Sequence, residues 1–265
     1  MRTPVPFLIS VPHCGLEVPA EVVDLITLEP EDFARYADPE TGTLYDFGGS
    51  VAARIATRIS RMVVDVNRPP YHLPPRHPDG AVKTRASDGR FVYRGGGPPP
   101  IGVVHGLMLR HYFPFHDAVD RLIDECDVRF ALDCHTMDPI GPPLAKDAGQ
   151  LRPHVCLGNH GGPTGEARRG RLTTCPPTWI RILAKHFRAQ FPDGDVAINR
   201  PFQGGFTPMG HYWRRGIPWM AIELNRGLYE GPDGTVDGGA VTDLRERCWD
   251  ALSAFWEEVP AADGS

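Results

Sequence analysis

The sequence predicts an α/β fold in which a mainly parallel β-sheet is covered by helices. The chain has 265 residues, of which 41% are hydrophobic, and this is enough to bury the core of one large domain. Short apolar runs alternate along it with segments of helical periodicity, a pattern typical of parallel sheets. Polar and ionisable residues follow directly after several of the apolar runs. We therefore expect a single domain over residues 1–265.

The first part of the chain is predicted to contain two strands separated by a helix. Residues 6–11 form a short apolar run, which indicates a buried strand followed by a loop that carries His13. Residues 46–60 are predicted to form an amphipathic helix, because apolar side chains recur there every four positions (Phe47, Val51, Ile55 and Ile59). Residues 62–66 form a second apolar run, which predicts a second strand.

The middle of the chain is predicted to be a long loop, then a helix and a strand. Residues 69–100 are rich in Pro, Gly and charge and have no periodic apolar pattern, which indicates a surface loop and a candidate active-site lid. A helix is predicted over residues 106–126, where one face is apolar (Phe115, Val119, Leu122 and Ile123). The apolar residues 128–132 then predict a strand that leads to Asp133 and His135.

Further strands and helices are predicted in the remainder of the chain. We expect a short strand at residues 155–157 and a helix over residues 179–191. After a Gly-rich stretch, the apolar residues 219–224 predict a strand that carries Glu223. The chain is predicted to close with a helix that has one apolar side (Val241, Leu244, Cys248, Leu252 and Phe255).

Charge and composition point to a small-molecule substrate. The formal net charge is -5, and the basic residues are scattered, so no basic patch for nucleic acid or an anionic membrane is expected. No apolar run approaches the roughly 20 residues that span a bilayer, and the first residues lack the apolar stretch of a signal peptide. We therefore expect a cytoplasmic protein. Its six cysteines form no CxxC pair, which argues against a disulfide framework and a thiolate zinc site.

The residues that end the predicted strands suggest a catalytic metal site. Open parallel sheets bind ligands at their carboxyl edge, and His13 and His135 are both expected there. Two histidines and one carboxylate, with a fourth position open, form the usual ligand set of a catalytic zinc. The candidates for the carboxylate are Glu17, Asp38 and Asp46.

Each of these residues also has a purely structural interpretation. Glu223, in an apolar strand, could pair with a buried arginine, because an ionised group there needs a partner. Arg68 could simply brace a loop. Asp133, two residues before His135, could orient the imidazole of His135 or serve as an ordinary structural carboxylate. Cys14 and Cys134 neighbour the two histidines, but cysteine at such positions is more often a small buried filler than a nucleophile.

The chain resembles the N-formylglutamate amidohydrolase family over nearly its whole length. The resemblance is carried by an ordered set of short motifs: VPHCG, the DP within RYADPETGTLYDF, DVNRP, DCHTM, PFQGGF and IELNRGLY. That family is similar to zinc carboxypeptidases and aspartoacylase-type deacylases. The resemblance therefore implies a three-layer α/β/α fold with a mixed, mostly parallel central sheet.

The resemblance also implies a role for individual residues. His13 and His135 match the metal-binding histidines, and the acidic ligand falls on Asp38, for which Glu17 and Asp46 remain alternatives. The remaining matches are the pair that grips the substrate α-carboxylate, at Asn67 and Arg68, and the catalytic carboxylate, at Glu223. His211, in a segment interpreted as a Gly-flanked polar loop, is a further candidate for substrate contact.

The implied activity is hydrolysis of N-formyl-L-glutamate to formate and L-glutamate with one divalent ion, expected to be Zn²⁺. The chain departs from the family pattern at Gln203, before the Gly204–Gly205 turn, because a basic residue often accompanies that turn. A side-chain carboxylate would then need another cation, for which several arginines are candidates (Arg85, Arg94, Arg200, Arg214 and Arg215). The alternatives are a deacylase of another N-acyl amino acid or short peptide, and a metal-free ligand-binding protein.

Overall fold

The computed structural model describes residues 3–259, and within them a six-stranded β-sheet forms the centre of the molecule. The strands are β1 (Val5–Val11), β2 (Val51–Ala56), β3 (Phe130–Met137), β4 (Val155–Gly158), β5 (Val196–Ile198) and β6 (Trp219–Asn225). They lie side by side in the order β2-β1-β3-β6-β4-β5. The pairing of β4 with β6 is antiparallel and the other pairings are parallel. The sheet is therefore mixed and mostly parallel, which confirms the predicted class.

Helices occupy the connections between the strands. Those in the described part of the chain are α1 (Pro30–Tyr36), α2 (Thr41–Leu44), α3 (Ile101–Leu107), α4 (Phe113–Glu125), α5 (Pro177–Gln190), α6 (Phe206–Arg215) and α7 (Gly238–Glu258). One π-helical turn, Met108–Tyr112, joins α3 to α4 without a break. Every helix within residues 3–259 is too short or too polar to cross a lipid bilayer.

The sheet is buried on both faces, which gives the three layers. Successive side chains of a strand point to opposite faces. Phe7 and Ile9 of β1 pack in one core with residues of α5 and α7. Leu8, between them, packs on the other face in a second core with residues of α3 and α4. The three-layer α/β/α arrangement implied by the resemblance is confirmed.

The predicted helix over residues 46–60 is wrong, because this segment contains β2. β2 pairs in parallel with β1 and forms an edge of the sheet. A spacing of four is also an even spacing, so apolar residues four apart share one face of a strand as well as one face of a helix. The β-branched Val51 and Ile55 favour the strand.

The predicted strand over residues 62–66 is also wrong. These residues form tight turns in which the main-chain N–H groups of Val63 and Val64 donate to the carbonyl of Ser60. The run is nevertheless buried, and Met62, Val63 and Val64 pack in the core beside α4. A short apolar run indicates burial without specifying a strand.

The later elements match the prediction more closely. The helix predicted at residues 106–126 and the strands predicted near residues 155 and 219 are present. β3 begins and ends later than predicted, so that Asp133 and His135 lie inside it. Residues 69–100 contain a single short 3-10 turn, Arg94–Gly96, and otherwise form the expected long loop. β5 and α6 were not predicted.

Candidate functional site

Neighbouring strands bring the predicted polar residues to one edge of the sheet. β3 lies between β1 and β6 and is parallel to both, so the carboxyl ends of the three strands share an edge, where open α/β sheets bind ligands. His13 follows β1 by two residues, and His135 lies two residues before the end of β3. Glu223 of β6 is paired with His135 in the strand register. The sheet thus places all three side by side.

Asp38 completes a group of three buried side chains around one point. It follows α1, and its main-chain N–H donates to the carbonyl of His13. Asp38 Oδ2 lies 2.8 Å from Nδ1 of His135 and 3.3 Å from Nδ1 of His13. One nitrogen or oxygen atom from each of the three residues lies within 4.8 Å of the others. The structure therefore brings together the three residues predicted as metal ligands.

The other two acidic candidates for the third ligand lie elsewhere. Glu17 is exposed and pairs with Arg58 on the surface. Asp46 accepts a hydrogen bond of 3.0 Å from the N–H of Gly48, in the turn before β2. Of the three carboxylates considered, Asp38 is the one that faces His13 and His135.

Two further carboxylates, those of Asp65 and Asp133, lie behind the two imidazoles. Nε2 of His13 is 2.8 Å from Oδ1 of Asp65, and Nε2 of His135 is 2.9 Å from Oδ2 of Asp133. Carboxylates that accept the outer N–H of a ligand imidazole fix its tautomer and ring orientation. The interpretation of Asp133 as an orienting residue agrees with this contact. Asp65 was missed, although it opens the DVNRP motif two residues before Asn67.

In the tautomer that leaves Nδ1 of both histidines unprotonated, three acceptor atoms converge on one point. If Nε2 of each imidazole donates to its carboxylate, Nδ1 of His13 and Nδ1 of His135 carry lone pairs toward Oδ2 of Asp38. Nδ1 of His13 is buried and has no hydrogen-bond partner among residues 3–259. Lone pairs facing one another in a buried site are unfavourable unless a proton or a metal cation lies between them. Two nitrogens and one carboxylate oxygen are suitable ligands for a metal cation.

The electrostatics of the site favour positive charge at the same point. Burial opposes ionisation of Asp38, but the charges of His13 and Arg61 hold the pKa of Asp38 below its ordinary value. Burial likewise opposes protonation of His135, but the charges of Asp133 and Glu223 raise the pKa of His135 well above its ordinary value. The surrounding carboxylates therefore attract a cation to the imidazoles.

The half-buried Arg61 and the buried Lys83 hold the carboxylates in place from outside. Arg61 lies 3.0 Å from Oδ1 of Asp38 and 3.4 Å from Oδ2 of Asp65. Lys83 lies 3.0 Å from Oδ2 of Asp65. Although burial opposes ionisation of Asp65, the charges of His13, Lys83 and Arg61 hold its pKa well below the ordinary value. Sequence reasoning selected neither cation, because both come from segments without a periodic pattern.

Glu223 lies beside His135 in the wall of the cavity. It lines the cavity, and the ion pairs formed among residues 3–259 do not include it, so it is not the structural ion-pair partner considered from the sequence. Burial raises its pKa to about 8, with the charge of His135 opposing and that of Asp38 adding to the increase. A carboxyl group with a pKa near neutrality is suited to general acid–base catalysis.

A cavity of about 510 Å³ opens over this group of residues. Its size falls within the range of small-molecule sites. It is lined by six of the seven predicted site residues: His13, Asp38, Asn67, Arg68, His135 and Glu223. The candidate ligands, the candidate proton-transfer group and the candidate substrate-binding arginine therefore share one space.

Arg68 is braced and still has a free donor. Its Nε donates to the main-chain oxygen of Asp79 at 3.1 Å, and its Nη2 donates to Oδ2 of Asp79 at 2.9 Å. No partner for Nη1 occurs among the described residues. The loop-bracing role considered from the sequence is therefore present, and it leaves one end of the guanidinium available to a ligand in the cavity.

Asn67 contacts the carboxylate that holds His135. Its Nδ2 donates to Oδ2 of Asp133 at 2.7 Å, and its Oδ1 accepts the N–H of Thr207 at 2.8 Å. A Cβ at Gly205 would lie 2.2 Å from Oδ1 of Asn67, so only glycine fits this close approach. These contacts place Asn67 behind His135 while it also lines the cavity, and its binding of a substrate carboxylate stays a prediction.

His211 does not lie in a loop and does not line the cavity. It lies in α6 and is buried, with Nε2 2.9 Å from Nδ1 of His116 and Nδ1 3.0 Å from Oδ1 of Asp120. Nε2 of His116 in turn contacts the main-chain oxygen of Val66 at 3.0 Å. The interpretation of this segment as a loop is wrong, and the buried position of His211 does not support substrate contact.

Because His116 is buried, we expect the folded protein to lose stability in acid. Burial lowers its pKa to about 4, from an ordinary value near 6.5, and the charge of His211 adds to the effect. The unfolded chain therefore binds a proton at a higher pH than the folded chain, so stability is lost as the pH falls from 6.5 toward 4. At about 1.4 kcal/mol per pKa unit, the loss through this group reaches about 3 kcal/mol.

Urea unfolding of chelator-treated protein at pH 7 and pH 4.5 measures this effect. In His116→Gln the amide can still donate to Val66 but does not titrate, so the free energy of unfolding should fall by about 2 kcal/mol less than in the wild type. An equal fall in both proteins would show that His116 is not held neutral in the folded state.

Comparisons with known proteins give one family and a common fold. A family model described as N-formylglutamate amidohydrolase matches residues 5–230. No curated protein matches the chain. Among solved structures, the N-formylglutamate amidohydrolase of Ralstonia eutropha JMP134 is similar, with 18% identity, a TM-score of 0.74, and coverage of 96% of this chain and 94% of that chain. The gene product Atu2144 of Agrobacterium tumefaciens has 19% identity, a TM-score of 0.64, and coverage of 94% and 91%.

Proposed function

The chain belongs to the N-formylglutamate amidohydrolase family, and from this premise we propose that it is a metal-dependent amidohydrolase that cleaves N-formyl-L-glutamate, or a similar N-acyl amino acid. The products are formate, or the corresponding acid, and the free amino acid. One observation carries the proposal. Nδ1 of His13, which has no hydrogen-bond partner among residues 3–259, converges with Nδ1 of His135 and Oδ2 of Asp38 beside a cavity that Glu223 also lines.

We propose that His13, Asp38 and His135 hold one divalent ion. Two imidazole nitrogens and one carboxylate oxygen are the ligand types of catalytic zinc sites, which favours Zn²⁺ over the oxygen-seeking Mg²⁺ and Ca²⁺. When bound, such an ion activates water at neutral pH and polarises a carbonyl group. Asp65 and Asp133 keep the two imidazoles in the tautomer that exposes Nδ1.

Glu223 moves the proton in this scheme. Its carboxylate accepts a proton from the attacking water and then returns it to the amine nitrogen that leaves. The amide C–N bond breaks as the new C–O bond is made, so the two products are a carboxylic acid and an amine. A group that must both accept and donate works best with a pKa near the working pH, which agrees with the pKa of about 8 that burial gives Glu223.

Arg68 positions the substrate. Its free Nη1 offers a charge-assisted hydrogen bond to the α-carboxylate of an N-acyl amino acid. Asp79 fixes the guanidinium from behind, which reduces the entropy lost when substrate binds. This contact orients the scissile carbonyl toward His13, His135 and Glu223, and correct orientation supplies much of the rate in such reactions.

Release of formate from N-formyl-L-glutamate tests the proposal. Zinc-loaded protein should release formate and glutamate in equal amounts, and removal of the ion by a chelator should lower the rate by at least about 100-fold. Added zinc should restore it. N-Acetyl-L-glutamate and a dipeptide, assayed in parallel, show whether the acyl group is formyl or another one. Absence of stoichiometric metal together with absence of hydrolysis after zinc is added would contradict the proposal and favour a ligand-binding relative.

A further inference from the structure

The cavity contains more positive charge than the reaction and the fold account for. Most of the cationic side chains that line it are paired with a carboxylate of the protein: Arg61, Arg68, Lys83, Arg152 and Arg226. Arg35 and Arg85 also line the cavity. No ion pair within residues 3–259 includes either of them. Both are exposed, so they lie where the cavity meets solvent.

Arg85 is held by a hydrogen bond and a ring contact, although no acidic partner for it occurs among the described residues. Its Nη1 donates to the main-chain oxygen of Gly89 at 3.0 Å. Its guanidinium lies over the ring of Phe91, 4.0 Å from the ring centroid, and the main chains of the two residues form an antiparallel bridge. Nε and Nη2 make no hydrogen bond within residues 3–259. A pre-positioned guanidinium with two free donors is suited to bidentate binding of a carboxylate.

Both arginines are close in sequence to residues that contact the metal-site carboxylates or belong to the site, and both line the same cavity. Arg35 comes three residues before Asp38, and Arg85 comes two residues after Lys83, which contacts Asp65. Three residues span at most about 11 Å of extended chain, and two span about 7 Å. The side chain of a bound amino acid that extends away from its scissile amide can cover such a distance together with the long side chain of an arginine.

We propose that Arg85, with Arg35 beside it in the same cavity, is a specificity-determining residue that binds an anionic group on the side chain of the substrate. The inference rests on the proposed function, since it assigns a second subsite to that reaction. Within the described part of the chain, Arg85 is the one arginine of the five considered from the sequence that lines the cavity. Arg214 and Arg215 instead pair with Asp120.

A pair of isosteric substrates tests the subsite. N-Formyl-L-glutamate and N-formyl-L-glutamine differ at the side-chain carboxylate, so the ratio of their kcat/KM values reports its recognition. In Arg85→Gln, kcat/KM for the acidic substrate should fall by about ten- to a hundredfold, the usual effect of losing a hydrogen bond to a charged group. The value for the neutral substrate should stay within about twofold, which also shows that the variant is folded.

Two further variants complete the test. Arg94 lies in the same loop, donates to the main-chain oxygen of Ile26 and does not line the cavity. Arg94→Gln should therefore leave kcat/KM unchanged for both substrates. Arg35→Gln should reduce the ratio less than Arg85→Gln. An unchanged ratio in both cavity variants, or an equal loss on both substrates, would overturn the subsite while leaving the hydrolase proposal intact. If the wild type with zinc hydrolyses neither compound, the proposed function itself fails and the subsite fails with it.

Discussion

Replacement of Glu223 by Gln is expected to lower kcat by about two to four orders of magnitude and to leave the metal content unchanged. The amide has nearly the same shape as the carboxyl group but cannot accept the proton of the attacking water. Glu223 lies in the register opposite His135 and is not one of the three residues whose atoms converge on the candidate ion site. Its loss should therefore stop proton transfer without releasing the ion. Steady-state kinetics and elemental analysis of the same preparation measure both effects.

Glu17→Gln is the matched control for this variant. Glu17 is exposed, pairs with Arg58, and was one of the two alternative carboxylate ligands considered from the sequence. The control should keep both its activity and its metal, because the ion pair of Glu17 lies on the surface. A Glu223→Gln protein with near-normal kcat would remove Glu223 from the mechanism.

Substitution of either histidine by Ala should abolish metal binding and, with it, activity. Nδ1 of His13 and Nδ1 of His135 supply two of the three donors, and each variant leaves only one imidazole with Asp38. Loss of an outer-shell partner typically weakens metal binding by about 10–100-fold, and loss of a ligand itself should exceed this. Dialysed His13→Ala and His135→Ala should contain no stoichiometric metal, and their formate release should not rise above the background rate.

His186→Ala provides a comparison for the loss of a histidine outside the site. His186 lies in α5 and contacts Glu258 at 2.8 Å, so its removal should leave the metal content unchanged. Either ligand variant retaining a full equivalent of bound metal and its activity would show that the ion, if present, is held elsewhere.

The sequence predicted the fold best in segments whose length and apolar composition both favour the same secondary structure. Residues 6–11 and 219–224 are short, mostly apolar and bounded by turn-forming residues, so a buried strand is the favoured interpretation and is found. Residues 46–60 could not be assigned in this way, because a fourfold spacing suits both a helix and a strand. The choice is made by pairing with β1, a contact between distant parts of the chain that periodicity does not report.

The same limit applies to the site. His13, His135 and Glu223 could be selected because each is polar and adjoins or interrupts an apolar run that ends at the ligand-binding edge of the sheet. Lys83 could not, because its importance depends on a contact at 3.0 Å that forms only after folding. Asp65 carried the same signal as Glu223, since it interrupts the apolar run at residues 62–66, and was overlooked. His211 was interpreted as a loop residue because the glycines around it suggested turns, whereas burial against Trp219 and hydrogen bonding to His116 place it in a helix.

Anomalous X-ray diffraction from crystals of the zinc-loaded protein, recorded on both sides of the zinc absorption edge, tests the central claim most directly. We predict one strong edge-dependent peak per chain at about 2.0–2.2 Å from Nδ1 of His13, Nδ1 of His135 and an oxygen of Asp38, the usual distances for zinc. A zinc-saturated crystal with no peak among these three residues, or with its peak at other residues, would contradict the claim.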